Sequence, residues 1–149
     1  MPYQAQGLTF DQFELDTTYA TAARTVTMAD IVTFAGVSGD FNPLHTDEIF
    51  AKTTPHGTRI AHGMLTAAIS TGLSNQTRLF EGTTIALLEQ TLRYTAPVKP
   101  GDTIHLELTC TNKKLSSKGD KGVVTFRSQV INHNGVTVLD GEWKTLMRK

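Results

Sequence analysis

The fold is decided by one stretch, HGMLTAAISTGLSNQTRL, which spans residues 62–79. Its large apolar residues fall at helical spacing: Met64, Leu65, Ile69 and Leu73. Most of the other positions in its first half are small: Gly63, Ala67, Ala68, Ser70, Thr71 and Gly72. A helix that is apolar or small on nearly every side is normally buried, and small side chains let other segments approach closely. The stretch therefore predicts a central helix from His62 to about Leu79, with other elements wrapped around it.

The wrapping elements are predicted in the second half of the chain, as strands. Apolar and polar residues alternate with a period of two through residues 103–110, which is typical of a half-buried strand. The same alternation runs through residues 124–130, and Asn134-Gly135 is a strong hairpin-turn signal. With residues 85–88 and 91–94, this gives four or five antiparallel strands. The prediction is an α+β fold in which an antiparallel β-sheet curls around a long central α-helix.

Length and charge limit the class of protein. A chain of 149 residues corresponds to one domain, residues 1–149. Lys+Arg and Asp+Glu number 14 each, so no net charge attracts nucleic acid or an anionic membrane. Cys110 is the only cysteine, and residues 1–16 lack the basic and apolar regions of a signal peptide. We therefore expect a cytoplasmic protein with no intrachain disulfide and no nucleic-acid or membrane partner.

The densest group of chemically active side chains is SGDFNPLH, residues 38–45. It brings a carboxylate (Asp40), a carboxamide (Asn42) and an imidazole (His45) within six residues. Pro43 keeps Asn42 out of the right-handed helical region and stiffens the bend, so these groups are held in place. Taken alone, the stretch has a second interpretation. Asp40 and Asn42 would then only cap turns, and His45 would precede a short helix capped by Asp47.

A second cluster, RIAHGM at residues 59–64, leads directly into the central helix. Gly63 offers a backbone N–H at the helix N-terminus, where unpaired donors and the helix dipole favour a developing negative charge. This is the geometry of an oxyanion hole. The alternative interpretation is that Gly63 only allows another segment to pack closely.

Sites for metal ions and cofactors are not indicated. The spacing of His45, His56 and His62 fits neither a helical two-histidine metal motif nor a Cys/His zinc site. The sequence contains no Gly-rich phosphate loop, no nucleophile elbow and no Cys–His pattern of a nucleophilic enzyme. We therefore expect neither a metal ion nor an organic cofactor.

Residues 34–51, FAGVSGDFNPLHTDEIFA, together with RIAHGM resemble the MaoC-like, (R)-specific enoyl-CoA hydratase family of the hotdog fold. The positions that match the pattern of that family are Gly39, Asp40, Asn42, Pro43, His45 and Ala51. The likeness covers essentially the whole chain, because a buried helix followed by antiparallel strands is also the hotdog order. The resemblance implies a hotdog fold in which a loop and helix overhang carries the active site.

The resemblance also implies an activity. A hydro-lyase of fatty acid metabolism would interconvert a trans-2-enoyl thioester and the (R)-3-hydroxyacyl thioester, carried by CoA or acyl carrier protein. Asp40 and His45 would activate the water, and Asn42 would orient the water or the loop. Gly63 would polarise the thioester carbonyl.

Further residues and an assembly follow from the same resemblance. The residues implied to contact the substrate are Pro43, His62, Met64 and Thr71. Thr71, or its neighbour Ser70, matches a hydroxyl that some family members have on the central helix. Because a hotdog sheet has an exposed edge and family members usually pair, we expect a homodimer or a higher homo-oligomer.

Two other functions compete with the hydratase interpretation. Hotdog proteins include acyl-CoA thioesterases, which use an acidic residue and a helix-terminal N–H. A non-catalytic subunit that only binds acyl thioesters is the second alternative. The intact GDFNPLH stretch favours the hydratase over the thioesterase, and the presence of both Asp40 and His45 argues against a binding subunit.

Overall fold

The computed structural model describes residues 1–149. Short elements come first: a 3-10 turn at Phe10–Gln12, strands β1 (Thr18–Ala20) and β2 (Arg24–Thr25), and helices α1 (Met28–Ser38), α2 (Pro43–Thr46) and α3 (Glu48–Ala51). The long helix α4 spans Gly63–Gln76. Four long strands follow: β3 (Thr84–Tyr94), β4 (Thr103–Leu115), β5 (Lys121–Asn132) and β6 (Thr137–Arg148). The chain is α+β, as the sequence predicts.

All six strands form one antiparallel sheet, in the order β1-β4-β5-β6-β3, with β2 also paired to β4. Inward side chains of β4, β5 and β6 alternate with outward ones, and the inward set joins Leu65, Ile69 and Leu73 of α4 in one hydrophobic core. The sheet therefore packs against the central helix, which is the hotdog arrangement expected from the sequence.

Helix α4 is buried on one side only, whereas the sequence predicts a helix enclosed on nearly every side. The opposite face is exposed along its length: Met64, Ala68, Thr71, Gly72 and Asn75. We call these five residues the open face of α4. One sheet covers one side of a helix, so within a single chain the small residues of the open face have no covering element.

No helix in the chain combines the length and the apolar character needed to cross a membrane.

The segment between α1 and α4, residues 39–62, forms the predicted overhang. Helix α1 runs through Gly36 and ends at its C-cap residue, Gly39. Gly39 has φ of 76°, a left-handed conformation that glycine adopts without strain. Asn42 and Asp47 then cap α2 and α3 by accepting hydrogen bonds from backbone N–H groups. These caps fix the direction of the chain on each side of His45.

The strands differ from the sequence prediction in two places. Residues 85–88 and 91–94, predicted as separate strands, belong to the continuous strand β3, which has a β-bulge between Leu87 and Glu89. The sequence predicts strands only in the second half of the chain, and this is wrong for β1 and β2, which lie in the first half. These strands have only three and two residues, and both form by pairing with β4.

Two glycine-to-alanine variants test the packing of the sheet. A Cβ atom on Gly141 of β6 would lie 1.9 Å from the backbone carbonyl oxygen of Thr91 on β3, whereas a Cβ on Gly36 of α1 meets nothing within 4 Å. We expect Gly141→Ala to lower the free energy of unfolding by about 3 kcal/mol. Gly36→Ala should raise it by about 0.5–1 kcal/mol, because alanine is favoured inside an exposed helix. Urea titration measures both, and equal effects would contradict the close approach of β3 to β6.

Candidate active site

His45 lies in α2 and is buried, with 9% of its surface exposed. Its Nδ1 is 2.7 Å from the carbonyl oxygen of Ile60. A carbonyl oxygen only accepts hydrogen bonds, so Nδ1 carries the proton and donates it. In the neutral ring Nε2 is then unprotonated. The overhang thus presents an imidazole in one defined tautomer, with Nε2 ready to accept a proton.

Asp40 lies just after the end of α1 and is exposed to solvent. Its Oδ1 accepts a hydrogen bond from the backbone N–H of Asn42 at 3.1 Å, which fixes the carboxylate relative to the turn. A carboxylate oxygen of Asp40 and a ring nitrogen of His45 lie within 4.8 Å of each other. One water molecule fits hydrogen bonds to two acceptors at this separation.

His62 is the residue that joins the overhang to α4. It is the N-cap residue of α4 and is only 3% exposed. Its ring stacks on the ring of His45, with centroids 3.8 Å apart and planes 26° apart. Nε2 of His62 donates to the backbone carbonyl oxygen of Asp40 at 2.9 Å, and its Nδ1 is buried without a partner. His62 therefore contacts both Asp40 and His45 from below the surface.

The group formed by Asp40, His45 and His62 is also the place where a metal ion would find three donors, because these donor atoms lie within 4.8 Å of one another. A metal bound to imidazole lies near the plane of the ring. Two stacked rings have nearly parallel planes 3.8 Å apart at their centroids, so one ion cannot lie near both planes. Nδ1 of His45 is also engaged by Ile60. This geometry suits acid–base chemistry better than metal binding.

Gly63 is the first residue of α4, and its backbone N–H is free to donate a hydrogen bond. No backbone or side-chain acceptor takes the N–H of Gly63, and the N-cap residue His62 gives no side-chain capping bond. A Cβ atom on Gly63 would lie 2.7 Å from Cε1 of Tyr94, so glycine is also needed for the close packing of this ring. Both interpretations of Gly63 from the sequence therefore fit the geometry: it permits a close contact and leaves a donor unpaired.

An open cavity of about 550 Å³ lies beside these groups. Its polar positions include His45, His56, Gly63, Thr66 and Thr95, and its apolar walls include Met64, Pro97, Val98 and Val138. Tyr94 closes one side and donates a hydrogen bond from its hydroxyl to Sδ of Met64. The cavity is thus an apolar space with an imidazole and a helix N-terminus at its wall, as an acyl thioester requires.

The site residues expected from the sequence divide into two groups. His45, Gly63 and Met64 line the cavity, and Asp40 lies next to His45. The others do not line it: Asn42, Pro43, His62 and Thr71. The side chain of Asn42 caps α2, Pro43 is an exposed first residue of that helix, and His62 is buried behind His45.

Thr71 lies on the open face of α4 and lines a different cavity, together with Phe80 and Trp143.

Two residues that line the cavity beside His45 were not expected from the sequence: Thr66 and Tyr94. The signal for Thr66 was its spacing of three residues from Gly63, which puts both on one side of a helix. Tyr94 comes from a distant strand, and no local pattern marks it.

An ion pair within the overhang joins α3 to the last residues before α4. Nε of Arg59 lies 2.9 Å from Oε2 of Glu48, and the hydroxyl of Thr58 also donates to this carboxylate. The backbone N–H of Arg59 and its guanidinium lower the pKa of Glu48 below its usual range. Because Ile60 follows Arg59 directly, this contact helps to position the carbonyl oxygen that His45 binds.

One antiparallel sheet packed against the long helix α4, with an overhang before that helix, defines a protein of the hotdog fold. Residues 11–132 match the family model described as MaoC like domain, and the chain belongs to this family. This confirms the resemblance found in the sequence.

Relatives agree with this assignment. The chain is 40% identical over 123 residues to a Rhodospirillum rubrum protein named (R)-specific enoyl-CoA hydratase, covering 83% of this chain and 81% of the relative. An R-hydratase structure from Pseudomonas aeruginosa is 36% identical, with a TM-score of 0.80 and coverage of 95% and 86%. An Archaeoglobus structure described as a monoamine oxidase regulatory protein is also 36% identical, with a TM-score of 0.90 and 99% coverage of both chains.

The contact between Glu48 and Arg59 predicts a pH-dependent contribution to stability. The folded-state pKa of Glu48 is lowered, so its stabilising contribution is present above the unfolded pKa of about 4.3 and is lost as the pH falls through the folded pKa. Glu48→Gln should be less stable than the wild type near neutral pH, and the difference should shrink in acid. Urea titration across this pH range measures it, with Glu14→Gln, at an exposed carboxylate without an ion pair, as the control. A difference that does not change with pH would contradict this origin.

Proposed function

We propose that this chain is a hydro-lyase, an (R)-specific hydratase and dehydratase that interconverts a trans-2-enoyl thioester and the (R)-3-hydroxyacyl thioester. CoA, or the phosphopantetheine of acyl carrier protein, carries the acyl group. The observation that supports this most directly is the proximity of the Asp40 carboxylate to the imidazole of His45, whose Nε2 is unprotonated, together with the free N–H of Gly63 at an apolar cavity.

The mechanism follows from the acid–base character of these groups. A water molecule donates hydrogen bonds to Asp40 and to Nε2 of His45, and one of the two takes its proton. The water oxygen forms a bond to Cβ of the enoyl group while the π electrons move towards Cα and the thioester oxygen. Gly63 N–H binds this oxygen as negative charge develops on it. The proton held by the pair then passes to Cα, which completes the addition of water and restores the site.

His62, Asn42 and Pro43 act in this proposal by holding the pair in place. His62 supports Asp40 through its backbone and His45 through ring stacking. Asn42 and Pro43 start α2, which carries His45. Met64 is the proposed apolar contact of the substrate, since it lines the cavity next to Gly63. Thr71 is a proposed contact only for a group that extends along the open face of α4.

The name of the Rhodospirillum relative supports the hydratase over the thioesterase and binding alternatives. The geometry supports the same choice, because a thioesterase needs a water aimed at the thioester carbonyl carbon, whereas two acceptors on the overhang beside an oxygen-binding N–H suit attack at Cβ. A binding subunit has no need of a histidine held in one tautomer.

We also propose that two copies of the chain pair through β3 and the open face of α4. Strand β3 is at the edge of the sheet and exposes Ile85, Leu87 and Leu88. An eleven-residue edge strand with apolar side chains is prone to pair with another strand.

The open face of α4 is continuous with this edge. Tyr94 of β3 bonds to Met64 at one end, and Thr71 and Asn75 share a cavity with Leu87 at the other. Pairing of β3 with β3 of a second copy would therefore cover the edge strand and the open face together.

Replacement of the acid–base pair tests the proposed reaction. We expect Asp40→Asn and His45→Ala each to lower kcat by at least ~100-fold, because each removes a group that accepts or returns a proton. Loss of the enoyl absorbance of crotonyl-CoA measures turnover, with a thiol reagent run in parallel. Asp47→Asn is the matched control. It makes the same chemical change on the overhang, and asparagine also caps helices well.

The outcomes separate the candidate functions. Absorbance loss without thiol release, abolished by Asp40→Asn but kept by Asp47→Asn, supports the hydratase. Thiol release without hydration indicates a thioesterase. Stabilisation of the fold by acyl-CoA without either reaction indicates a binding subunit. Near-normal turnover in Asp40→Asn or His45→Ala would exclude the assigned roles.

A charge on the edge strand tests the proposed pairing. The wild type should sediment at twice the chain mass of 16.3 kDa. Leu88→Lys should shift it towards the monomer, because a lysine on an edge strand opposes strand pairing. Val136→Lys is the control, since Val136 is 45% exposed and Leu88 is 54% exposed, but Val136 lies in the hairpin between β5 and β6. A wild-type monomer at micromolar concentration, or a dimer unaffected by Leu88→Lys, would contradict this interface.

A further inference from the structure

Thr66 differs from the other hydroxyl residues of α4. Ser70, Thr71 and Ser74 each donate to a backbone carbonyl oxygen one turn earlier, at 2.6–2.8 Å. The hydroxyl of Thr66 makes no hydrogen bond within the protein, although the residue is only 3% exposed. Thr66 lines the cavity that His45 and Gly63 also line. The one helix hydroxyl without a partner is therefore the one that faces the proposed site.

Helix geometry brings this hydroxyl to the same side as the Gly63 donor. Residues three apart lie on one face of a helix, and each Cα–Cβ bond tilts towards the helix N-terminus. The side chain of Thr66 is thus directed back towards the turn that begins at Gly63. Both groups lie in the wall of the same cavity.

The packing does not require the oxygen atom of Thr66. Valine has nearly the same shape and would fill the position, so packing does not account for a hydroxyl that makes no hydrogen bond within the protein and belongs to a residue in the cavity wall. The hydroxyl of Thr66 can rotate to donate a hydrogen bond to a carbonyl oxygen that enters the cavity. Such an oxygen has two lone pairs, and the N–H of Gly63 can bind only one of them.

We propose that the hydroxyl of Thr66 donates the second hydrogen bond to the thioester oxygen, beside the N–H of Gly63. This assignment rests on the proposed hydratase function and extends it by a second group that binds the developing negative charge. Thr66 keeps its proton throughout: it stabilises the enolate-like oxygen and transfers nothing. The donor pair is then one rigid element, a single turn of α4.

Three variants test the assignment. Thr66→Val should lower kcat for enoyl-CoA hydration by about 10- to 100-fold with KM changed by less than about threefold, because the hydrogen bond strengthens as charge develops. Thr66→Ser keeps the hydroxyl and should recover most of kcat. Thr83→Val is the matched control: Thr83 is 4% exposed, its Oγ1 also lacks a partner, and it lies away from this cavity. It should turn over as the wild type does.

A spectroscopic measurement separates polarisation from a structural effect. Crotonyl-CoA labelled at the thioester carbonyl is bound to Asp40→Asn, which should not turn it over, and the carbonyl stretch is recorded by infrared spectroscopy. The stretch should shift down on binding, and adding Thr66→Val should reduce that shift. Thermal unfolding of each variant shows whether the fold is kept.

The results also distinguish this assignment from the proposed function. A wild type that hydrates enoyl-CoA, with Thr66→Val equal to it in kcat and in carbonyl shift, overturns the role of Thr66 alone. A Thr66→Ser variant as slow as Thr66→Val overturns it as well. A wild type that hydrates no short- or medium-chain enoyl-CoA overturns the function and this assignment together. Loss of kcat and of carbonyl shift in Thr66→Val, with recovery in Thr66→Ser, supports it.

Discussion

The site depends on the hydrogen bond between Nδ1 of His45 and the carbonyl oxygen of Ile60. His45 comes from the first sequence motif and Ile60 from the second, so this bond joins them. It fixes the tautomer of the imidazole, which decides the nitrogen that can accept a proton. It also holds α2, which carries His45, against the residues that lead into α4. Two other contacts connect the same two sequence motifs: the ion pair of Glu48 with Arg59 and the stacking of His62 on His45. They stabilise the same arrangement of the two motifs.

A second constraint comes from the coverage of α4. The sheet buries Leu65, Ile69 and Leu73 but leaves the open face exposed. The side chains there are mostly small, which would let another backbone approach, and the adjacent edge strand carries apolar residues. The same helix thus contributes to the core through one face, to the proposed active site through its N-terminus, and to the proposed pairing of two copies through the other face. Because the helix is rigid, it fixes the positions of the core, the proposed active site and the proposed pairing surface relative to one another.

Hydrophobic periodicity and turn signals predicted the helices and strands that short stretches of sequence encode. Periodicity indicated α4, β4 and β5, and the Asn134-Gly135 turn indicated the hairpin before β6. Strands β1 and β2 were missed because segments of three and two residues are strands only through pairing with β4, more than 70 positions along the chain.

The same limit applies to the site. Asp40, His45 and Gly63 could be named from two short motifs, whereas Tyr94 reaches Gly63 only through the fold. Thr71 was expected to contact the substrate; eight residues of helix put it roughly 12 Å along the axis from Gly63, and it lines a different cavity. Thr66 lies only three residues away and shares the cavity.

The polar residues of SGDFNPLH serve two tasks: they cap turns and short helices, and they supply the proposed reacting groups. Helices α2 and α3 have four residues each, too short to be stable in isolation. They persist because Asn42 and Asp47 cap them and because Gly39 allows the turn that precedes them. The capping interpretation of this stretch is therefore correct for Asn42 and for Oδ1 of Asp40, which accepts a hydrogen bond from the N–H of Asn42, while Oδ2 of Asp40 and Nε2 of His45 make no hydrogen bond within the protein. This loop holds the Asp40 carboxylate and the His45 imidazole within 4.8 Å of each other, and Asp40 is exposed. Little hydrophobic burial is available there to hold the loop in place. The loop therefore needs the hydrogen bonds of its caps.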